Sequence, residues 1–391
     1  MHYSFLILLF ALFVAPRVLQ RFRIPTAITS FAMGAICALQ LGYLPNDFQG
    51  DVTIKFLATL GIVSLFLFAG LDVEFRELRH NSTILLQHLA IQVVSLALLA
   101  AALVWWLDLS IRPSTLIALA LLTPSTGFIL DALDGFNLPE KARFWIKSKA
   151  IATELVALAV LFVALQSSSA QGLGLSSLIL VGMIGFLPFL FRLFAKLILP
   201  YAPKSEFAFL MMVAVACGVI TYELGVYYLV GAFVVGMAAQ RLRLHLPAMA
   251  SEKMLSSVEA FSSLFVPFYF FNAGLNLRQA DFSLAALGVG LSFAVCGISF
   301  RLIPIWLHRR VVFGEGLRES MLVGMPMLPT LVFTLVIAGI LREKFQIGST
   351  LFGGLVVYAI LNSLIPGLVF RTRVPEEEDA LLVEESPHNP T

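Results

Sequence analysis

The chain has 391 residues, 59% of them hydrophobic and 13% charged, with a formal net charge of +2 and a mean hydropathy of +0.92. Soluble globular chains carry roughly 45–50% apolar and about 25% charged residues. The composition therefore excludes a water-soluble enzyme, a nucleic-acid binder and a secreted disulfide scaffold, and leaves an all-α polytopic membrane protein.

A helix needs about 20 apolar residues to cross a bilayer, and turn residues and charge clusters divide the chain into thirteen such segments. They run over 3–20, 24–43, 54–73, 83–107, 113–133, 141–166, 176–199, 205–222, 225–240, 255–275, 281–307, 316–340 and 348–371. The first has no basic stretch before it and no small-residue cleavage site after it, so it reads as a span and not a removable signal. The least marked division is Glu223–Leu224, between the eighth and ninth segments. Charge placement supports it. With the N-terminus outside, thirteen spans leave Lys55, Arg112, Arg278, Arg342 and Lys344 outside and Arg301 within the eleventh span. Every other Lys and Arg falls on the cytoplasmic side, as the positive-inside rule requires. Merging the eighth and ninth segments would reverse the side of every later basic cluster. Residues 1–373 then form one transmembrane domain, and 374–391 a short, acidic cytoplasmic tail that reads as disordered and carries no regulatory domain. Cys37, Cys217 and Cys296 lie in apolar segments, which points away from a disulfide framework or a metal cluster.

Two pairs of short motifs recur at nearly one offset. Phe68-Ala-Gly-Leu-Asp-Val73 in the third span resembles Asn272-Ala-Gly-Leu-Asn-Leu277 in the tenth, 204 residues later. Phe31-Ala-Met-Gly34 in the second resembles Phe233-Val-Val-Gly236 in the ninth, 202 later. Seven spans separate the partners. Seven is odd, so the halves, spans 1–6 and 8–13, are expected upside down relative to each other with the seventh span as linker. The same offset relates two proline-bearing interruptions, Thr123-Pro124-Ser125-Thr126 in the fifth span and Pro326-Met-Leu-Pro329 in the twelfth. Proline removes a backbone donor and opens the helix, and such openings at membrane depth need protein or a water-filled cavity to cover them. Interrupted spans at matching places in inverted halves point to the binding site of a secondary transporter.

Glu154 lies in the middle of the sixth span, where a charge costs about 2.5–3.5 kcal/mol on insertion scales and marks an ion path by default. Thr153 beside it supplies a neutral oxygen. Arg301 in the eleventh span is the candidate partner that would pair with Glu154 when no ion is bound, with snorkelling to the headgroups as its plain alternative. His88, with Gln87 and Gln92, reads as structural at the inner end of the fourth span.

These features together resemble the monovalent cation/proton antiporter superfamily, in the branch that holds sodium/proton exchangers and potassium efflux antiporters. The motifs that carry the likeness are Leu67-Phe-Ala-Gly-Leu-Asp72, Gly225-Val-Tyr-Tyr-Leu-Val-Gly-Ala-Phe-Val-Val-Gly236, Pro267-Phe-Tyr-Phe-Phe-Asn-Ala-Gly-Leu275 and the two interrupted spans. The resemblance implies a homodimer whose protomers each carry a mobile core around two crossed broken helices. It implies an essential acid in the sixth span, matched by Glu154, and a basic residue in the eleventh, matched by Arg301. The sequence departs from the family pair in having Glu for Asp and Thr153 for Asn, Asp or Gln. The expected activity is exchange of one monovalent cation, Na⁺ before Li⁺ and K⁺, for one proton by alternating access in the cell membrane. Glu154, Thr153, Ser125, Thr126 and freed carbonyls near Pro124 would hold the ion. No cofactor, resident metal, nucleic acid or enzymatic reaction is expected. A non-exchanging sensor or cation leak on the same fold is the alternative.

Overall fold

The computed structural model describes residues 2–21, 24–39, 48, 50–73, 82–133, 136, 138–167, 169–243 and 251–370; the acidic tail falls outside them. The described residues are helical throughout, apart from the short connections. In chain order the helices are α1 (His2–Gln20), α2 (Thr26–Ala38), α3 (Val52–Leu71), α4 (Ser82–Leu107), α5 (Ile111–Leu122), α6 (Thr126–Leu133) and α7 (Glu140–Gln166). They continue with α8 (Ala170–Leu197), α9 (Glu206–Glu223), α10 (Tyr228–Arg241), α11 (Glu252–Leu275), α12 (Leu284–Phe313), α13 (Leu317–Gly324), α14 (Leu331–Phe345) and α15 (Ser349–Val369). Single 3-10 turns cover Gln279–Asp281 and Met325–Met327.

Among the described residues, nine stretches are long and apolar enough to cross a membrane, the α5–α6 stretch Ile111–Leu130 among them. Leu317–Met327 with Leu331–Phe345 makes a tenth, bent by 50°. Shorter apolar helices, α1 and α2, and the 14-residue α10 occupy the places of the first, second and ninth expected spans. The helices follow the expected thirteen segments in order, and both interruptions fall at the expected prolines.

The weakly marked eighth–ninth division is real. Leu224 ends α9 and Gly225 follows at φ +75°. The amides of Gly225 and Val226 return to the carbonyls of Tyr222 and Thr221. That is a Schellman closure, which needs a residue in the left-handed region and so favours glycine. Beyond the turn α10 folds back along α9, with Gly231 against the backbone of Cys217 and Gly218.

The motif offsets reappear as contacts. Helices α2, α3, α10 and α11 pack together, and glycines set their close approaches. Gly34 of α2 meets Phe271 and Gly274 of α11, while Gly70 of α3 meets Phe233 and Gly236 of α10. Shifting the first pair by about one repeat converts it into the second. At each of the four, an added Cβ would run into a backbone carbonyl of the partner helix, so only glycine permits the approach. Helices α4, α7, α12 and α15 pack around the two interrupted spans, α5–α6 and α13–α14. Helix α8 is mostly exposed and apolar, with Leu178, Val181, Phe186 and Phe189 outward, as suits a helix facing lipid.

Candidate functional site

An interrupted helix leaves four carbonyls at one end and four amides at the other without partners. The carbonyls that end α5 are taken by three side chains from three helices. Thr334 of α14 donates to Ala120 O at 2.7 Å, Tyr358 of α15 to Leu121 O at 2.5 Å, and Gln92 of α4 to Leu122 O at 3.2 Å. The carbonyls that end the α13 segment are taken likewise. Arg301 donates to Met327 O and, at 2.6 Å, to Leu328 O. Asn362 donates to Leu328 O at 2.5 Å and to the Tyr358 hydroxyl at 2.9 Å.

The two breaks also bind each other. Ser125 N–H donates to Pro329 O at 2.8 Å. Ser125 Oγ accepts from the amides of Val332 and Phe333, at 3.1 and 3.3 Å. These are the second and third positions of α14, whose own cap residue Thr330 makes no capping bond. Ser125 thus caps the partner helix from across the crossing. The crossed arrangement expected of the two broken spans is therefore present, tied by backbone and by one hydroxyl.

The arrangement leaves the start of α6 facing Glu154. A cavity lies between α3 and the breaks, lined by Leu65, Phe66 and Ala69 of α3, Ser125, Thr126 and Gly127, Glu154 of α7, and Val332 and Phe333 of α14. Its volume of about 10 Å³ leaves room for roughly one water. Glu154 is 2% exposed. Thr126, through amide and hydroxyl, faces its carboxylate. Neither Glu154 Oε2 nor Thr126 Oγ1 is within hydrogen-bonding geometry of a partner. A buried carboxylate oxygen left this way is costly and is what a proton or a small cation relieves.

Of the residues singled out in the sequence, Glu154, Ser125 and Thr126 come together at this cavity, with Thr123 and Pro124 in the turn beside it and Pro326 and Pro329 flanking the second break. Two are placed otherwise. Thr153 lies on a different face of α7, its hydroxyl 3.2 Å from His88 Nε2. Arg301 was expected to pair with Glu154. Its guanidinium lies instead on the Met327 and Leu328 carbonyls, because a helix end carries partial negative charge and lacks amide partners. Of the carbonyls near Pro124, those of Ala120, Leu121 and Leu122 accept the side-chain bonds given above. Sequence reasoning passed over Thr334, Tyr358 and Asn362. The available signal was a polar pair four residues apart on one face of an apolar span, Tyr358 and Asn362.

At the opposite ends of the bundle, charged groups tie helices together. Arg342 meets Asp281 Oδ1 at 2.5 Å and Asn276 O at 3.1 Å, Lys344 donates to Gly225 O, and Arg112 donates to Ala164 O and Leu165 O at 3.0 and 2.9 Å. At the other end Lys147 bridges to Asp72 at 2.9 Å and Arg309 to Glu315.

Comparison with known proteins agrees with this architecture. The chain is 27% identical over 386 residues to a probable Na(+)/H(+) antiporter 3 of Methanocaldococcus jannaschii, covering 95% of this chain and 96% of that protein. Its fold matches the sodium proton antiporter MjNhaP1 of the same organism, solved at pH 8, with a TM-score of 0.68 at 13% identity over 94% of this chain and 95% of the other. An electron-microscopy structure of MjNhaP1 gives a TM-score of 0.67 at 15% identity, covering 94% of each chain. The family profile described as sodium/hydrogen exchanger, transmembrane, matches residues 7–374. With two crossed broken helices around a buried carboxylate and a matching profile over nearly its whole length, the chain belongs to the transmembrane sodium/hydrogen exchanger family.

Proposed function

We propose that the protein exchanges a monovalent cation, Na⁺ first, for a proton, with Glu154 binding one or the other in turn. The observation that carries this reading is the cavity itself, where a buried carboxylate oxygen and the Thr126 hydroxyl lie without partners beside Ser125. Hard cations take oxygen ligands, and the cavity supplies them at about the size of one ion or water. Thr153, tied to His88, acts behind this set.

The apolar wall of α3 supplies the coupling. Leu65, Phe66 and Ala69 face the site. Moving a bare carboxylate past such a wall costs about 2.5–3.5 kcal/mol on insertion scales, roughly a hundredfold in population. A bound proton or Na⁺ cancels that charge, so the core crosses loaded and not empty. One carboxylate carries one charge, so each cycle is electroneutral, one cation for one proton. The core α4–α7 with α12–α15 moves against the glycine-packed group α2, α3, α10 and α11, and two copies form a homodimer. Arg112, Arg342 and Lys344 gather at one end of the bundle, which suits an outside location for them, with the C-terminus in the cytoplasm of the cell membrane.

The test uses purified protein in sealed liposomes with an internal pH dye. Addition of Na⁺, Li⁺ or K⁺ outside is expected to alkalinise the interior only by exchange, and Glu154→Gln to abolish the response. The apparent KM for the cation should rise as pH falls through the titration of Glu154, by up to about tenfold per pH unit. Silence of the wild type toward all three ions would refute exchange; a response that survives Glu154→Gln would refute the site.

A further inference from the structure

The two repeated motifs end at opposite ends of the glycine-packed group. Phe68-Ala-Gly-Leu-Asp72 closes α3 and Asn272-Ala-Gly-Leu-Asn276 closes α11, with Asp72 and Asn276 as the C-cap residues. Each is gripped by a basic side chain from the helices around the breaks. Lys147 of α7 meets Asp72 Oδ1 at 2.9 Å, and Arg342 of α14 donates to Asn276 O at 3.1 Å. A helix C-terminus carries partial negative charge, so a cation suits both places. Asp281, packed against α15, pairs with Arg342 at 2.5 Å and orients it.

The α9–α10 turn is held in the same way, at the same end as Asn276. Helix α9 packs on α10 and α3, so this turn belongs with the glycine-packed group. Beyond the carbonyls that its Schellman closure uses, Leu224 O accepts from Gln166 of α7 at 2.6 Å and Gly225 O from Lys344 of α14. A Cβ placed on Gly225 would lie 3.3 Å from Lys344 Nζ and 3.7 Å from Gln166 Nε2, so the two side chains converge on one turn. Ser176 of α8 donates to Gln166 Oε1 at 3.0 Å, which fixes the way the amide points.

Helix α7 is thus tied to the glycine-packed group near both ends. Lys147 and Gln166 stand about 28 Å apart at the rise of an α-helix, and Glu154 lies between them. Hydrogen bonds fade beyond about 3.5 Å, so a slide of α7 and α14 by about 1–2 Å against their partners breaks these contacts. A tilt breaks the ties at one end and spares those at the other. With both sets made, Glu154 is 2% exposed, beside a cavity with room for about one water.

We propose that these contacts are two latches on the exchange cycle: Lys147 with Asp72 shuts the inner side, and Arg342, Lys344 and Gln166 on the ends of α11 and α9 shut the outer side. This rests on the exchange reading above, with Glu154 as the site and the two groups of helices moving against each other. Release of the outer latch opens the site outward while the inner latch keeps it shut from within, and the opposite step completes the cycle. All five side chains are positioning residues, since none touches the ion. The strengths of the latches set how much of the protein is open to each face, and the apparent KM on a face varies inversely with that fraction.

The experiment measures exchange in right-side-out and inverted membrane vesicles from a host without its own sodium/proton exchange, so that the Na⁺ KM is read on each face. Lys344→Met with Gln166→Leu weakens the outer latch, Asp72→Asn weakens the inner one, and a further variant combines all three changes. The outer-latch variant is expected to lower the outer KM and raise the inner KM, each by about twofold to tenfold, the worth of one such bond. Asp72→Asn should shift both in the opposite sense. The combined variant should return both to within about twofold of wild type, as opposing effects on one equilibrium add. Lys344→Arg, which keeps the donor, should behave as wild type. A KM change confined to the face on which a charge was removed would overturn the latches, since loss of local charge alone does that. Shifts in the same sense from both ends, or no shift from either, would overturn them too. Should Gln166→Leu fail to fold, the exposed Lys344→Met alone decides the outer latch. Exchange present in wild type and lost in Glu154→Gln keeps the site whatever the latch variants do; its absence in wild type, or survival in Glu154→Gln, brings down the site and the latches with it.

Discussion

Ser125→Ala separates two roles that one hydroxyl holds at the crossing. Its Oγ accepts from the amides of Val332 and Phe333, and it also lines the cavity with Glu154. Loss of a cap costs about 0.5–2 kcal/mol, and leaving a buried donor without a partner costs about 1–3 kcal/mol. Two amides lose their acceptor here, and a water entering the space left by the hydroxyl would recover part of it. The net expectation is about 2–4 kcal/mol of destabilisation. Midpoint shifts per kcal/mol shrink as chains lengthen, to roughly 1–2 °C at this size. Thermal unfolding of the purified variant in detergent should then show a midpoint lower by about 2–8 °C. Ser125→Thr, which keeps the oxygen, should recover more than half of that. Exchange in liposomes should fall with Ser125→Ala even at saturating Na⁺, because the start of α14 and the facing start of α6 lose their mutual anchor. A midpoint within about 1 °C of wild type would refute the cross-capping argument. A defect wholly rescued by high Na⁺ would show Ser125 to be a ligand and nothing more.

Arg301→Met removes a buried guanidinium from the Met327 and Leu328 carbonyls; with bonds to charged groups at about 1.5–3 kcal/mol each, unfolding in detergent should come at clearly lower temperature. Arg301→Lys, with a point charge in place of the fork, should fall between. Tyr358→Phe strips the Leu121 carbonyl and the Asn362 amide of their shared hydroxyl and should cost about 1–3 kcal/mol by the same measurement. Gly34→Ala and Gly70→Ala drive a methyl into the carbonyls of Phe271 and Phe233 and should sharply reduce folded yield on size-exclusion chromatography. Gly182→Ala and Gly339→Ala, where an added Cβ meets nothing within 4 Å, should leave yield intact and gain up to about 1 kcal/mol from helix propensity. Equal losses at all four glycines would contradict the close-approach reading.

Much of this protein was legible from residue order, because a bilayer imposes strong local rules. Apolar length dictates a span, charge dictates its direction, and proline dictates a break, so the segment order, both interruptions and the buried acid at Glu154 could be read without coordinates. The glycine motifs at offsets of 202 and 204 residues also carried information, since close helix contact needs a missing side chain at that spot. Pairing across the fold is different, because it depends on which side chains helix packing brings within about 3 Å. Nothing in the local sequence of Arg301 says that its guanidinium will meet two carbonyls 26 and 27 residues later in preference to Glu154. Nothing beside Thr153 says that its hydroxyl will turn to His88, 65 residues away. Ser125 reads as a ligand from its place at the Pro124 break, and the tertiary structure makes its oxygen the cap of a helix 207 residues further along. The sequence determined where the backbone had to open within the membrane; only the packed structure decided which side chains close those openings, because hydrogen bonds between distant helices have no local pattern to announce them.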